Sequence, residues 1–362
     1  MSLGIVTKES NLTLKNIVLH AFSILEADDH SQITISGGSF DRGIEGIYVL
    51  NGSTITIKDN AKITTYIDIG LLADGSQSEI TMTGGTVSGA FSALSAENGD
   101  HIDIKDVAIT TIDENDNGYS VYSNGTGSII TLHGNTTIKN VSTGLVVNKD
   151  GIIKMTGGSI MAYINGTNFS GNKKDENKLK DVIISSYNDD TLLHERMYVA
   201  YNSKLSLENV TITQAEDGIF AKSNSQVTVS KRLVSTKTTR VYTESGSVIT
   251  VKDKAEIISS NGSGLHANGR QSKIKMIEGT VNAKKGALYT DNGEDIDITN
   301  VSATAKIGGL QFMSLLYIIP DELNDPQNYQ NSEINLTNTK IHVDNGTGFS
   351  LKLLLIIPLE IL

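Results

Sequence analysis

Two groups of carboxylates, at matching places in a duplicated stretch, are the residues whose types and spacing could do chemistry. They are Asp100, Asp103 and Asp106 in one place, and Glu294, Asp295 and Asp297 in the other. Asp103 and Asp297 each stand between two isoleucines, so on a strand they point to solvent while the isoleucines point inward. Such carboxylates could serve acid–base hydrolysis of a polysaccharide or bind calcium. The alternative is a solvated, charged face that keeps strands from aggregating.

Motifs that would single out a catalytic or metal-binding set are absent from the sequence. It has no Asn-Thr-Asp, Gly-His-Gly or Arg-x-Pro-x-x-Arg, as in families of polysaccharide lyases and hydrolases, and no Gly-Asp-Ser-Gly or Gly-x-Ser-x-Gly. The 7 histidines lack His-x-His and His-Glu-x-x-His spacing. With 0 cysteines, a disulfide scaffold, a cysteine-ligated metal and a thiol nucleophile are excluded. We therefore expect no enzyme, no metal and no cofactor.

The charge balance bears on the partners. The 30 basic and 41 acidic side chains give a formal net charge of -11. Nucleic acids and anionic membranes repel such a chain at long range, so we expect neither as a main partner. The start of the chain lacks the basic and apolar regions of a secretory signal, and the apolar tail is too short to span a bilayer. We expect a fragment that does not insert into a membrane by itself.

A repeating architecture must position these residues, because short pairs of alternating apolar residues recur along the chain. They are Leu12/Leu14, Ile33/Ile35, Ile55/Ile57, Ile80/Met82, Ile102/Ile104, Ile130/Leu132, Ile153/Met155, Leu205/Leu207, Val227/Val229, Ile249/Val251, Ile274/Met276, Ile296/Ile298 and Ile334/Leu336. Most successive pairs are 21 to 28 residues apart, and a gap of 52 after Ile153 predicts a further coil at Val182-Ile183-Ile184. With no Trp and 5% aromatic residues, the composition suits a narrow core of Ile, Leu and Val.

Within each unit, three short strands are separated by Gly or Asn corners, such as Gly84-Gly85, where positive φ is easiest. The stretches 78–111 and 272–305 align without gaps and share 15 of 34 residues, so their coils have the same cross-section. The sequence predicts an all-β fold, a right-handed single-stranded parallel β-helix of about 14 coils with three strands per coil. We assign residues 1–11 to a leader or N-terminal cap and residues 12–350 to the β-helix. Residues 351–362 form an apolar tail, interpreted as a last buried strand that could cap the rod or as a sequence broken off from a longer reading frame.

Units such as Ser78-Glu-Ile-Thr-Met-Thr-Gly-Gly-Thr-Val87 and Gly151-Ile-Ile-Lys-Met-Thr-Gly-Gly-Ser-Ile160 resemble the coils of pertactin-like autotransporter passenger domains. The resemblance covers about residues 12–350 and is greatest to the passengers of vasoproliferative intracellular bacteria. It implies export and display at the bacterial cell surface, or secretion, after outer-membrane passage through a C-terminal β-barrel translocator. We expect the full-length protein to have that barrel and this chain to be the passenger without it. β-Helices with unrelated activities share the fold, so the fold alone does not assign function.

Insertions in a solenoid leave the coil at its corners and commonly build the binding face. Three insertions are predicted, at residues 113–127, 168–181 and 313–331. The second carries Lys173, Lys174, Lys178 and Lys180, and we interpret it as solvated. The third is interpreted either as a protein-contact patch or as a segment that folds back over the rod or caps it. The candidate binding residues are Tyr119 and Tyr122 in the first insertion and Leu315, Leu316, Tyr317, Ile318, Ile319 and Tyr329 in the third.

These observations favour a virulence-associated adhesin or receptor ligand whose partner is a host-cell surface protein or a matrix component. The adhesive role is what the resemblance implies, whereas the residues alone indicate long faces and no catalytic set. Two alternatives stay open. One is a polysaccharide-active enzyme that uses Asp103 or Asp297, and the other is a structural stalk that associates only with itself.

Overall fold

A computed structural model of the chain describes residues 5–21, 23–112, 118–171, 176–186, 195–215, 217–231, 233–236, 241–291, 294–317, 333–344 and 347–356. The chain divides into two compact units. Unit 1 comprises Met1–Tyr198 and Ser203–Val210, and unit 2 comprises Val199–Asn202 and Thr211–Leu362. Both units are parallel β-solenoids, with about 12 turns in the whole chain. No helix able to span a membrane occurs in these ranges.

The strands up to Val210 are short, and most have four to six residues. They are β1 (Ile5–Lys8), β2 (Asn11–His20), β3 (Ser23–Asp28), β4 (Gln32–Gly43), β5 (Glu45–Leu50), β6 (Thr54–Lys58), β7 (Lys62–Thr65), β8 (Ile69–Asp74), β9 (Glu79–Thr83), β10 (Thr86–Gly89), β11 (Ser92–Glu97), β12 (His101–Lys105), β13 (Ala108–Thr111), β14 (Tyr119–Asn124), β15 (Ile129–His133), β16 (Thr137–Asn148), β17 (Ile152–Thr156), β18 (Ser159–Ser170), β19 (Glu176–Lys180), β20 (Ile183–Ser186), β21 (Glu195–Ala200) and β22 (Lys204–Glu208).

The strands from Thr211 onward follow the same plan. They are β23 (Thr211–Ala215), β24 (Asp217–Ala221), β25 (Gln226–Ser230), β26 (Leu233–Thr236), β27 (Val241–Glu244), β28 (Val248–Lys252), β29 (Glu256–Ser259), β30 (Leu265–Asn268), β31 (Lys273–Ala283), β32 (Gly286–Asp291), β33 (Asp295–Ala305), β34 (Gly308–Tyr317), β35 (Glu333–Thr337), β36 (Lys340–Val343) and β37 (Thr347–Ile356).

Three ladders of parallel strands build the coils of unit 1. β9 pairs with β6 and β12 in the first ladder, β10 with β7 and β13 in the second, and β11 with β8 and β14 in the third. The predicted parallel β-helix with three strands per coil is therefore confirmed, and its turn number is close to the predicted 14. The right-handed winding stays a prediction.

The core of unit 1 consists of columns of identical or similar apolar side chains, because each strand is in register with the next. Ile55 aligns with Ile80, Ile80 with Ile102, and Ile102 with Ile130. All four are at most 1% exposed. Neighbouring strands lie about 4.8 Å apart, so each isoleucine packs directly on those above and below it. This stacking explains why a chain without Trp can fill its interior.

A ladder of buried serines occupies the corner before most of the first strands. Ser31 N donates to Ser53 Oγ at 3.0 Å, and Ser31 Oγ donates to Asp28 O at 2.8 Å. Asp100 takes the serine's place in one coil of unit 1, where its Oδ1 accepts from Ser78 N at 2.8 Å. The buried backbone N–H groups of Ser31 and Ser78 thereby gain side-chain acceptors, as buried N–H groups need where water is excluded.

The coil predicted at Val182-Ile183-Ile184 exists, but its first strand was placed wrongly. That strand is β19, in which Met155 aligns with Leu179, whereas Ile184 belongs to the second ladder opposite Ile160. Asn177 stands at the apolar position and is fully buried. Its Oδ1 accepts a hydrogen bond from Ile153 N at 2.8 Å. A search for apolar pairs misses this coil, because a polar residue, Asn177, takes an apolar position in the core.

The predicted insertions are shorter than the sequence suggested. Residues 119–124 form β14, residues 176–180 form β19 and residues 313–317 belong to β34, so these parts are regular strands and not loops. Lys178 and Lys180 are ion-paired to Glu208, with N–O distances of 3.7 Å and 3.0 Å. Lys173 and Lys174 lie outside the described residues.

Both predicted ends of the β-helix also contain strands. β1 lies in the segment assigned to the leader and pairs with β3. Residues 351–356 of the apolar tail belong to β37, which pairs with β34 from Gly308 to Tyr317.

Candidate functional site

The second corner of unit 1, between the second and third strands of a coil, lies in the same place in three successive coils. It comprises residues 66–68, 90–91 and 112–118, of which 113–117 lie outside the described part of the chain. The strands on both sides are in register, since Thr86 aligns with Lys62 and Ala108, and Ser92 aligns with Ile69 and Tyr119. The turns therefore stack along the solenoid, and side chains that leave them form a row.

Large apolar side chains occupy this row. Tyr66, Ile67, Phe91 and Ile112 are 55%, 61%, 53% and 37% exposed. Tyr119, the first residue of β14, packs its ring edge-on against Phe91 with 6.3 Å between the ring centroids. We call Tyr66, Ile67, Phe91, Ile112 and Tyr119 the corner strip. It contrasts with the outward positions of the first strands in the same coils, which hold Thr56, Thr81 and Asp103.

Backbone hydrogen bonds connect the turns that carry the corner strip. Phe91 N donates to Asp68 O at 3.4 Å, and Tyr119 N donates to Phe91 O at 3.0 Å. The turn before Phe91 is tight, because a Cβ atom at Gly89 would lie only 1.9 Å from Ser92 O. Phe91 follows this tight turn and is 53% exposed.

Polar groups border the corner strip. Tyr48 Oη donates to Asp68 Oδ2 at 2.9 Å, and burial together with this carboxylate raises the pKa of Tyr48 far above its usual range. Tyr122 stacks on Tyr119 with 5.7 Å between the centroids, and burial raises the pKa of the Tyr122 hydroxyl. The strip thus has an aromatic centre and a neutral or acidic edge, an arrangement typical of protein-contact surfaces.

Of the predicted binding residues, Tyr119 and Tyr122 lie together at the corner strip, on strand β14 and not on a loop. Leu315, Leu316 and Tyr317 are consecutive residues of β34 in unit 2, opposite Leu354, Leu355 and Ile356 of β37. Ile318, Ile319 and Tyr329 lie outside the described residues.

Sequence reasoning missed Tyr66, Ile67, Phe91 and Ile112 because it searched for long insertions. The coils that carry Tyr66, Ile67 and Phe91 have short second corners. A usable signal exists, namely large apolar residues just after the second strand, where a corner normally holds small or polar residues.

The carboxylates considered for catalysis are engaged in separate contacts. Asp103 is exposed and faces His133 Nε2 at 3.3 Å. Asp297 is half-buried, with Lys273 Nζ at 2.5 Å and Asn335 Nδ2 at 2.8 Å. Burial raises the pKa of Asp297, but the bonds from Lys273 and Asn335 outweigh it and hold that pKa below its usual value. Asp103 belongs to unit 1 and Asp297 to unit 2. For acid–base catalysis, each would therefore need a second catalytic carboxylate in its own unit.

Asp100 and Glu294, the other equivalent pair of the duplication, are buried corner residues. They are 0% and 1% exposed. Glu294 Oε2 accepts from Asp291 N at 2.9 Å, and burial raises the pKa of Glu294 to about 8. These carboxylates support turns. In the described part of the chain, no group of three or more His, Asp or Glu side chains is arranged to hold a metal ion.

Comparison with known proteins gives no relative. No family model matches the chain, and neither a curated protein nor a solved structure matches it.

Proposed function

We propose that this chain is the passenger of a bacterial autotransporter, secreted or displayed at the cell surface, that binds a host-cell surface protein or a matrix component. The binding surface is the corner strip of unit 1. The passenger assignment is supported by the resemblance of the repeat units, such as residues 78–87, and by the parallel β-solenoid that they form.

The observation that carries the binding proposal is the exposure of Phe91, which packs against Tyr119. Exposed apolar side chains on the two neighbouring turns extend this surface. Each Å² of apolar surface removed from water contributes about 25 cal/mol, so a row of large side chains is a strong docking surface. Aromatic anchors of this kind dominate protein interfaces. The stacked turns also present the row on a rigid scaffold, which lowers the entropy cost of binding.

The test is binding of the purified, fluorescently labelled protein to cultured mammalian cells. A strip variant carries Tyr66→Ser, Ile67→Ser and Phe91→Ser. The control carries Val18→Ser and Ile183→Ser, which remove exposed apolar side chains away from the corner strip. We expect saturable binding by the parent chain and the control, and a loss of about tenfold or more in affinity for the strip variant.

Equal binding by all three proteins would refute the role of the corner strip, and no saturable binding by the parent would refute the adhesive function. Display is tested separately, by adding protease to intact bacteria that produce the full-length protein. We expect this passenger to be cleaved or already released, and protection of the passenger until lysis would contradict surface exposure.

A further inference from the structure

The third strands of unit 2 present a column of aromatic side chains on their outer face. Phe220 aligns with Tyr242, Tyr242 with His266, and His266 with Tyr289. Successive ring centroids are 4.9, 4.7 and 4.3 Å apart. The rings are tilted or perpendicular to one another, with interplanar angles between 53° and 83°. All four side chains are partly accessible to solvent.

A column of polar side chains runs beside the rings, two residues further along each strand. It consists of Lys222, Glu244, Asn268 and Asp291. Lys222 Nζ is paired with Glu244 Oε1 at 3.6 Å, and Asn268 Nδ2 donates to Tyr242 Oη at 2.6 Å. The first three members of the column therefore have partners within the face.

Asp291 differs from the rest of the column. Among the side chains that the structure describes, none forms a hydrogen bond or ion pair with its carboxylate, although its backbone N–H donates to Glu294. The side chain is half-buried, and this burial raises the pKa of Asp291. A half-buried carboxylate without a cation carries a desolvation cost that a cationic ligand would offset.

Aromatic rings beside a carboxylate attract a cation. A guanidinium or ammonium group near a ring face gains cation–π energy, and a nearby carboxylate adds a charge-assisted hydrogen bond. His266 of the ring column does not supply this cation, because burial lowers its pKa to about 4 and leaves the ring neutral. Lys222 of the polar column is already paired with Glu244. The net charge of -11 also attracts basic partners at long range.

We propose that the outer face of the third strands of unit 2, centred on Tyr289 and Asp291, binds an arginine or lysine side chain from a basic segment of a protein partner. This site is separate from the corner strip, which belongs to unit 1, and does not depend on it. Arginine suits it better than lysine, because a planar guanidinium stacks on a ring while bonding a carboxylate.

The probe is a fluorescein-labelled hexa-arginine peptide, with a hexa-citrulline peptide as its uncharged counterpart. Binding is followed by fluorescence anisotropy at about 0.1 M salt, where exposed charges further apart than about 10 Å are screened. The variants are Asp291→Asn and Tyr289→Leu. The control is Asp253→Asn, which removes an equal charge from an exposed turn of the same unit.

We expect Asp291→Asn and Tyr289→Leu each to weaken hexa-arginine binding about tenfold, and Asp253→Asn less than about twofold. The citrulline peptide should not bind. Equal loss in Asp291→Asn and Asp253→Asn would overturn the proposal, because binding would then follow overall charge only. Full binding by Tyr289→Leu would also overturn it.

Unchanged circular dichroism of the variants verifies their fold. The peptide should still bind the strip variant, which separates this test from that of the proposed function.

Discussion

The ring of Phe91 meets the ring of Tyr119 edge-on, with 6.3 Å between centroids, across neighbouring coils of unit 1. The pair lies on the surface and not in the core, since Phe91 follows the turn at residues 90–91 and is 53% exposed, and Tyr119 N donates to Phe91 O. Aromatic pairs of this geometry contribute about 0.5–1.5 kcal/mol beyond their buried area. Here the contact holds two aromatic rings in a fixed arrangement at the surface. This arrangement is the basis of the proposed binding function.

Phe91→Ala should weaken cell binding without unfolding the protein. Phe91 is more than half exposed, so its truncation should lower the free energy of unfolding only by about 0.5 kcal/mol or a little more. This loss includes the contact with Tyr119. Its loss from the centre of the corner strip should raise the dissociation constant at least about tenfold. Cell binding and chemical denaturation measure the two effects. Ile183→Ala, an exposed site elsewhere in unit 1, should leave both unchanged, and a large loss of stability in Phe91→Ala would contradict its surface role.

Asn177→Ala should destabilise the solenoid. The change leaves the buried N–H of Ile153 without its acceptor, which costs about 1–3 kcal/mol. Chemical denaturation monitored by circular dichroism gives the difference in unfolding free energy. Lys154→Ala, at an exposed position in the strand that faces β19, should cost less than about 0.5 kcal/mol. Equal stability of Asn177→Ala and the parent would show that Asn177 does not stabilise its coil.

Glu294 should make the protein less stable as the pH rises. Burial, with a smaller effect from Asp291, raises the pKa of Glu294 from 4.5 to about 8, so the folded state holds the proton more tightly than the unfolded state. The resulting stability is fully present below about pH 4.5 and is lost as the pH rises to about 8.

Thermal unfolding of Glu294→Gln against the parent measures this effect. Between pH 5 and 9, we expect the parent to lose on the order of 1 to 3 kcal/mol relative to Glu294→Gln. Glu256→Gln, a change at an exposed position of unit 2, serves as the control and should track the parent. A difference between Glu294→Gln and the parent that does not change with pH would contradict the assignment.

Asp103 and Asp297 should have no catalytic role. Asp297 is held by Lys273 and Asn335, and Asp103 faces His133. Incubation with acidic polysaccharides should therefore give no new reducing ends or unsaturated products. Product that disappears in Asp103→Asn and Asp297→Asn would contradict this and restore the polysaccharide-active alternative.

Much of the fold could be predicted from the sequence, because a solenoid repeats its information in every coil. Pairs such as Ile80/Met82 recur at nearly constant spacing, and most of them are buried pairs in the first ladder. The first and last pairs are more open, since Leu12 is only partly buried and Leu336 is exposed. The prediction failed locally at Asn177, where a buried hydrogen bond replaces an apolar contact. Periodicity of apolar residues cannot detect a position that is filled by a satisfied polar group.

The candidate site was harder to predict. Tyr119 and Tyr122 were identified, but as parts of a loop, because the strand β14 follows an insertion that obscures the register. Phe91 was missed because it lies in a short turn, where Gly89 and the backbone bond to Asp68 bring the chain close to itself. Exposure of this kind is set by turn geometry in three dimensions, which residue type and spacing do not reveal.

The central claim, that the corner strip contacts the cell-surface partner, is tested most directly by a cysteine at the strip. The chain contains 0 cysteines, so Ile67→Cys introduces a single thiol, and the rings of Phe91 and Tyr119 are retained. The measurement is the rate at which a membrane-impermeant maleimide modifies the thiol, with and without bound mammalian cells, and Ile183→Cys is the reference. We predict that cell binding slows the reaction at residue 67 several-fold and leaves residue 183 unchanged. Equal rates at residue 67 in the free and bound protein would contradict the claim.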